Sequence, residues 1–549
     1  MKLPLSLLSS ALCIIAVAAE PPVQLNGWYP CSQSSLQADD TDKGHPDQYY
    51  METSSDSKTR RRATAEAEQT QASALPFLQQ SFDRLFAQHG DWKQQGQRTH
   101  HHHSTHHKSA EDATPGIPQY ECAEFRVPMC YDGVCESDNT IDVFVKRVKA
   151  KSVADGQKEK ALWVLQGGPG ASSTGVEGLM NTMYLELDRQ VSVYTFDHRG
   201  TGRSARLECQ AAQAGALSSP GGSAIRLDEL PACMDDIRFQ IDNQTAAFSV
   251  TSAAKDLAAI INYELSDQDV FVYGLSYGTY LVERLVHFAP ASVKGFSVDG
   301  IVSESGDTVE KRSTFSNWDH DVGVVGDRFL AACLAEDFCK SKFPDVTDLS
   351  VFVHELYDKL DAAVVDGKKG SNACADALSS NGMKPSYVLR STFGEYLMSD
   401  RMRIAIPAVI YRASRCTDQD ADALGYFAEG VAYSEEDGGF GDSEPETLLF
   451  DSDMLYYLIV FSEMWETPTP DKATLVQCHC TTFTTPMNSG GATCGVRILA
   501  SYVKENGVLK NVDTSCMDDL KPMKFSDNTV DAQELFATND LYESSGSDW

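Results

Sequence analysis

The residues best suited to do chemistry in this chain are five in a row, Gly274-Leu275-Ser276-Tyr277-Gly278. The apolar run DVFVY (269–273) precedes them and TYLVERLVHFAP (279–290) follows, so the motif sits on a strand-to-helix turn. The glycines let the chain turn sharply without a Cβ clash. Ser276 is lifted to the tip, at a helix N-terminus that favours negative charge. This is the setting of a serine nucleophile in acyl transfer; the plainer alternative is an ordinary tight turn in a parallel sheet. Acyl transfer also needs donors for the developing oxyanion. The backbone N–H groups of Tyr277 and of Gly168 are the candidates, the latter in Gly167-Gly168-Pro169-Gly170 just after ALWVLQ (161–166). A plain Gly-Pro turn is the alternative there.

The surrounding pattern is that of elements able to position such residues. IDVFVKRV (141–148), ALWVLQ, VSVYTFD (191–197), DVFVYG (269–274) and VKGFSVDG (293–300) are predicted strands. SAAKDLAAIINYEL (252–265) has helical periodicity with Ser252 as its expected N-cap, and TYLVERLVHFAP reads as a helix stopped at Pro290. Strands alternating with helices imply an α/β fold, a mostly parallel sheet flanked by helices. From about 309 to 475 the texture is helical, as in VFVHELYDKLDAAVV (351–365) and DMLYYLIVFSEMWE (453–466), which predicts a helical cap. The expected organisation is a signal peptide (1–19), a polar extension with a His-rich insert (20–116), the first part of the core (117–308), the cap (309–475) and a C-terminal core remnant and tail (476–549) containing the helix CGVRILASYVKEN.

Three motifs in order, LQGGPGASS, FDHRGTGRS and GLSYGTYL, resemble the prolyl/tripeptidyl aminopeptidase family of secreted α/β-hydrolase serine peptidases. FSNWD (315–319) and FSEMW (461–465) fall where that family has cap helices, and the resemblance covers roughly residues 120–549. It implies an α/β-hydrolase fold with a helical cap, and an exopeptidase that releases amino-terminal residues from peptides through a Ser-Asp-His triad. Gln166 departs from it, since many relatives carry His or Asn before Gly-Gly-Pro. That changes a neighbour of the oxyanion site and leaves the backbone donor in place.

The triad is legible only in part. Chain order in this fold is serine, acid, histidine. His287, His320, His354 and His479 follow Ser276. His287 lies along the helix behind the serine, and His320 and His354 lie in the cap, so His479 is the expected base. The alternative for His479, flanked by Cys478 and Cys480, is a surface residue beside a disulfide or a chance metal-like C-x-C. The resemblance requires a buried strand ending in an acid-bearing turn, then a helix and a further strand, before that histidine. Here FSEMWETPTPDKATLVQ runs directly into CHC. The expectation is that two core strands and the acid are missing between about Gln477 and Cys478. Asp299, ending the strand after the nucleophile helix, is a conceivable acid, although Asp-Gly at a strand end is more often a turn. Asp471 follows its Thr-Pro pairs with no strand before it, and Asp451 and Asp453 read as helix caps. An aminopeptidase must also hold a protonated amine. Glu463 and Glu466 flank an aromatic in the cap and are candidates; a solvated helix face is the alternative.

Composition narrows the partners. The formal net charge is −33, which excludes a sequence-independent grip on nucleic acid and disfavours anionic membranes. A short basic start, an apolar run of about 15 residues and Val17-Ala18-Ala19 read as a secretory signal cut after Ala19, too short for the roughly 20 residues of a membrane span. Fourteen cysteines then remain, an even number suited to disulfides in an oxidising compartment. Cys209 with Cys233, Cys333 with Cys339 and Cys494 with Cys516 are the nearest pairings, and Cys31, Cys122, Cys130 and Cys135 form another group. Asn243-Gln244-Thr245 is a glycosylation sequon. The run His100 to His103 reads as a solvated insert in preference to a metal site, and Arg60-Arg61-Arg62 as a candidate for trimming. The leading expectation is a secreted serine aminopeptidase acting on peptides, with no cofactor or metal and a damaged triad. Its rivals are a secreted esterase or lipase using the same serine, and a non-catalytic secreted binding protein.

Overall fold

Among the described residues, runs of β-branched and aromatic residues build a sheet of eight strands. They are β1 (Gln24–Leu25), β2 (Tyr29–Cys31), β3 (Tyr120–Pro128), β4 (Thr140–Val148), β5 (Lys160–Leu165), β6 (Ser192–Phe196), β7 (Asp269–Leu275) and β8 (Val293–Asp299). The computed structural model describes residues 23–35, 119–153, 156–209, 229–305, 312, 314–364, 372–379, 383–399, 401–436, 450–465, 493–519, 523–526 and 530–543. The strand order is β1-β3-β4-β6-β5-β7-β8, with β2 also paired to β3. β5, β6, β7 and β8 run parallel, and β4 joins β6 antiparallel. The five strands expected from the sequence are present within a residue or two at each end.

Alternation divides the sheet's side chains between two cores. Ala161, Trp163, Leu165, Val270 and Val272 face the helices Val250–Glu264 and Tyr277–Val286. Leu162, Val164, Phe271, Tyr273 and Leu275 face Glu177–Glu186 and Cys494–Lys504. Burial on both faces is why β5 and β7 read as unbroken apolar runs. Trp163 is fully buried and stacks on Tyr194 at 5.0 Å. Burying a large apolar side chain of this kind contributes about 1.5–3 kcal/mol. The helix predicted at 252–265 starts at Val250, because Ser249, not Ser252, is its cap and accepts from Ser252 N–H at 3.2 Å.

Residues 23–35 overturn one expectation. They fall within the stretch expected to be a polar extension, yet β1 and β2 pair with β3 and Cys31 is bonded to Cys122. Buried charge holds the same segment. Glu177 accepts from Ser35 N–H and Ser35 Oγ, both at 2.6 Å, and pairs with Lys146 at 2.7 Å. Strands of two and three residues have no periodicity to read, so only the tertiary partners reveal them.

The helices between Trp318 and Glu436 pack around a core of their own, including Phe329, Leu356, Leu389, Val409 and Leu424. Phe525, Phe536 and Tyr542, near the C-terminus, pack into that same core. The helix Asp453–Glu463 instead packs Leu455, Ile459 and Val460 against the sheet. Disulfides join Cys130 to Cys135, Cys333 to Cys339, Cys374 to Cys416 and Cys494 to Cys516. Among the described residues no strand pairs with the outer edge of β8, and no helix is long and apolar enough to cross a membrane.

Candidate active site

The turn after β7 has the geometry that Gly-x-Ser-x-Gly requires. Ser276 has φ 53° and ψ −125°, a conformation costing on the order of 1–3 kcal/mol that persists only where neighbours enforce it. Ser276 N–H donates to Asp299 O at 2.9 Å, and Thr279 N–H to Ser276 O at 2.8 Å. Thr279 Oγ1 also donates to Ser276 O (2.6 Å) and accepts from Val302 N–H (2.8 Å), tying the turn to the chain beyond β8. The flanking glycines are sterically obligatory. A Cβ on Gly274 would run into Gly278 O, and one on Gly278 would lie 2.6 Å from Leu165 O.

The Gly-Gly-Pro-Gly loop lies against this serine. A Cβ on Gly167 would come within 2.9 Å of Ser276 Cβ and 3.3 Å of its Oγ. Gly167 N–H is taken by Gln166 Oε1 at 2.9 Å, so the residue that departs from the family pattern buttresses the loop. Gly168 follows at φ 113°. Tyr277 is the first residue of its helix, where N–H groups have no intrahelical acceptor. Both sequence-predicted oxyanion donors therefore sit on the two backbone segments that meet at Ser276.

The motif FDHRGTGRS supplies the underlying support, a role the sequence did not disclose. Arg199 is fully buried against fully buried Asp256, at 2.7 and 2.6 Å. It also donates to Met129 O (2.6 Å) and Pro128 O (3.0 Å). Asp197 accepts from Ser173 N–H (2.6 Å) and from Arg203 Nε (2.8 Å), which joins the Gly-Pro loop to the charged cluster around Glu177. The His198 ring packs 5.3 Å from the Tyr277 ring, and burial pushes its pKa down to about 4, so the ring is neutral. Thr201 Oγ1 donates to Gly170 O, and Ser452 N–H donates to the same carbonyl at 2.9 Å. Ser452, not Asp451 or Asp453, caps the helix Asp453–Glu463, accepting from Leu455 N–H at 3.1 Å. Asp451 is used otherwise: it accepts from Ser172 N–H at 2.7 Å, and burial raises its carboxyl to about 6.

The remaining sequence candidates fall in different places. Asp299 closes β8 beside Leu275, and its Oδ2 accepts from Tyr273 OH at 3.0 Å. It lines a cleft of about 420 Å³ between β8 and the helix Cys494–Lys504, together with Phe296, Val298, Val496 and Tyr502. Glu463 Oε1 accepts from Val250 N–H at 2.9 Å, and burial raises its carboxyl. It shares a charged corner with Glu304, Arg284 and Tyr280; Arg284 meets Glu304 at 2.7 Å, and Tyr280 OH donates to Glu304 at 3.0 Å. His287 caps the end of the helix Tyr277–Val286, and His320 and His354 are exposed. His479 and Glu466 lie outside the described residues, as do Asp471, the His-rich run and the Arg60-Arg61-Arg62 cluster.

Residues 160–339 match the alpha/beta hydrolase fold family. The Escherichia coli (strain K12) protein YuaR, named as a hydrolase, is 23% identical over 273 residues, covering 48% of this chain and 52% of YuaR. The chain thus spans about half the length of that curated relative. Among solved structures, a cold-adapted esterase from an Arctic intertidal metagenomic library is 16% identical, with 39% of this chain and 70% of the esterase covered and a TM-score of 0.20. The Saccharomyces cerevisiae prohormone-processing carboxypeptidase KEX1(delta)p is 14% identical, with 34% and 39% covered and a TM-score of 0.21. Strand order, the left-handed serine turn after β7 and the match over residues 160–339 together show that this chain has the α/β-hydrolase fold.

Proposed function

We propose that the protein is a secreted serine hydrolase of aminopeptidase type, with Ser276 as its nucleophile. The observation that carries this reading is Ser276 itself, held in a left-handed conformation at the tip of β7 with Gly167 pressed against it. In this mechanism Ser276 Oγ attacks the carbonyl carbon of the substrate. The N–H groups of Tyr277 and Gly168 hold the resulting oxyanion. His479 takes the serine proton and passes it to the leaving amine, and water then releases the acyl group. No cofactor or metal takes part in these steps. The three ordered motifs support a peptide with a free amino terminus as substrate, and Glu463, in a corner rich in carboxylates, is the described residue suited to hold that amine. The disulfides and the apolar leader support secretion.

The acid is the weak member of this triad. Among the described residues no strand pairs with the outer edge of β8, which supports the reading that two strands and an acid-bearing turn are missing before Cys478. Asp299 is then the carboxylate at hand, because it ends the strand next to β7 and its own carbonyl holds Ser276 N–H. A fluorophosphonate probe on the purified chain, beside Ser276→Ala, tests the proposal. Labelling confined to the parent, with cleavage of free-amine peptides but not of their N-acetylated forms, is expected. Hydrolysis of short acyl esters alone would favour an esterase. A folded chain that takes up no probe would sink the enzymatic reading and favour a binding protein.

A further inference from the structure

Cys209 and Cys233 are both buried in the larger sheet core, and their thiols meet in a hydrogen bond. The other ten cysteines among the described residues are joined in five disulfides. Cys209 lies in the chain segment that carries His198, Arg199 and Gly200, and Cys233 lies in the first turn of the helix Leu230–Gln240. We propose that these two residues form a further disulfide in the mature protein, made during oxidative folding by exchange with a disulfide carrier of the glutathione type. One cysteine thiolate attacks the carrier and releases one reduced carrier thiol. The second cysteine displaces the other half and closes the Sγ–Sγ bond. The two thiols of the protein are oxidised, one carrier disulfide is reduced to two thiols, and the two thiol protons end on them.

The timing follows from burial. Exchange requires a thiolate, and burial in the finished core pushes the Cys233 thiol well above its ordinary value. The bond must therefore close before the core does, and afterwards it lies out of reach of soluble reductant. Its mechanical effect is on the support of the serine site. Leu207, two residues before Cys209, accepts from Ser452 Oγ, whose own N–H donates to Gly170 in the Gly-Pro loop. A bond from Cys209 to the helix Leu230–Gln240 fixes the far end of that chain of contacts.

The test uses the whole chain secreted from a host that forms disulfides. It is denatured without reductant, alkylated with iodoacetamide and digested. A linked Cys209–Cys233 peptide pair is expected, lighter by two hydrogen atoms than the two free peptides together. Alkylation of both residues, or linkage of Cys209 to any other cysteine, would overturn the proposal. The double variant C209S/C233S should melt several degrees lower, and an unchanged melting temperature would refute the bracing role. If that variant does not fold, the peptide map of the parent still decides whether the bond exists.

Discussion

Asp299 and His198 are two single residues beside the Ser276 turn whose charge can be tested. Asp299 is held by Tyr273 OH, a contact that Asn preserves, so Asp299→Asn tests charge with little change of shape. If Asp299 orients the base, turnover should fall by about 10⁴ while KM changes little, as expected when a triad acid loses its charge. Unchanged turnover in a steady-state assay would remove it from the mechanism. His198 makes a prediction about pH. Its ring is 3% exposed and is held near pKa 4, whereas the unfolded chain protonates it near 6.5. The unfolded state therefore binds the extra proton, and stability present above pH 6.5 is lost as pH falls from 6.5 towards 4. By pH 5 that loss is about 2 kcal/mol. Melting temperatures of the parent and His198→Gln at pH 7 and pH 5 check this, the variant being expected to lose less on acidification. The placement of Ser276, Tyr277 and Gly168 was legible in the sequence because it rests on backbone conformation, which glycine spacing announces. The supporting role of His198 was not, because a buried neutral imidazole has the same letter as a solvated one.

At the scale of elements, one fully buried ion pair, Arg199 with Asp256, anchors the segment between β6 and Cys209 to the helix Val250–Glu264. Arg199 and Asp256 are both fully buried and paired through two contacts, so removing one charge strands the other. Asp256→Asn should cost about 3–5 kcal/mol, read from urea unfolding at neutral pH. A loss below about 1 kcal/mol would show that the pair is dispensable. The long strands and helices could be read from periodicity with small boundary errors, as with β7 and the helix Val250–Glu264. β3 was missed, since YECAEFRVP interrupts its apolar residues with charge that other strands satisfy: Glu121 pairs with Arg147 at 2.8 Å, and Arg126 with Asp142 at 2.9 Å. The ion pair itself leaves no local trace, because its partners lie in elements far apart in sequence.

For the whole molecule, the informative feature is where the chain departs and returns. β2 ends at Cys31 opposite Tyr120, and the Cys31–Cys122 disulfide holds the two Cα atoms 5.9 Å apart. The residues numbered 36–118 therefore begin and finish at one stapled point on the sheet. Closing such a stretch costs free energy only logarithmically in its length, and here the cross-link has already fixed its ends. A reporter or an affinity handle spliced into that interval should therefore leave the melting temperature of the sheet unchanged, which makes the position a usable port for an engineer.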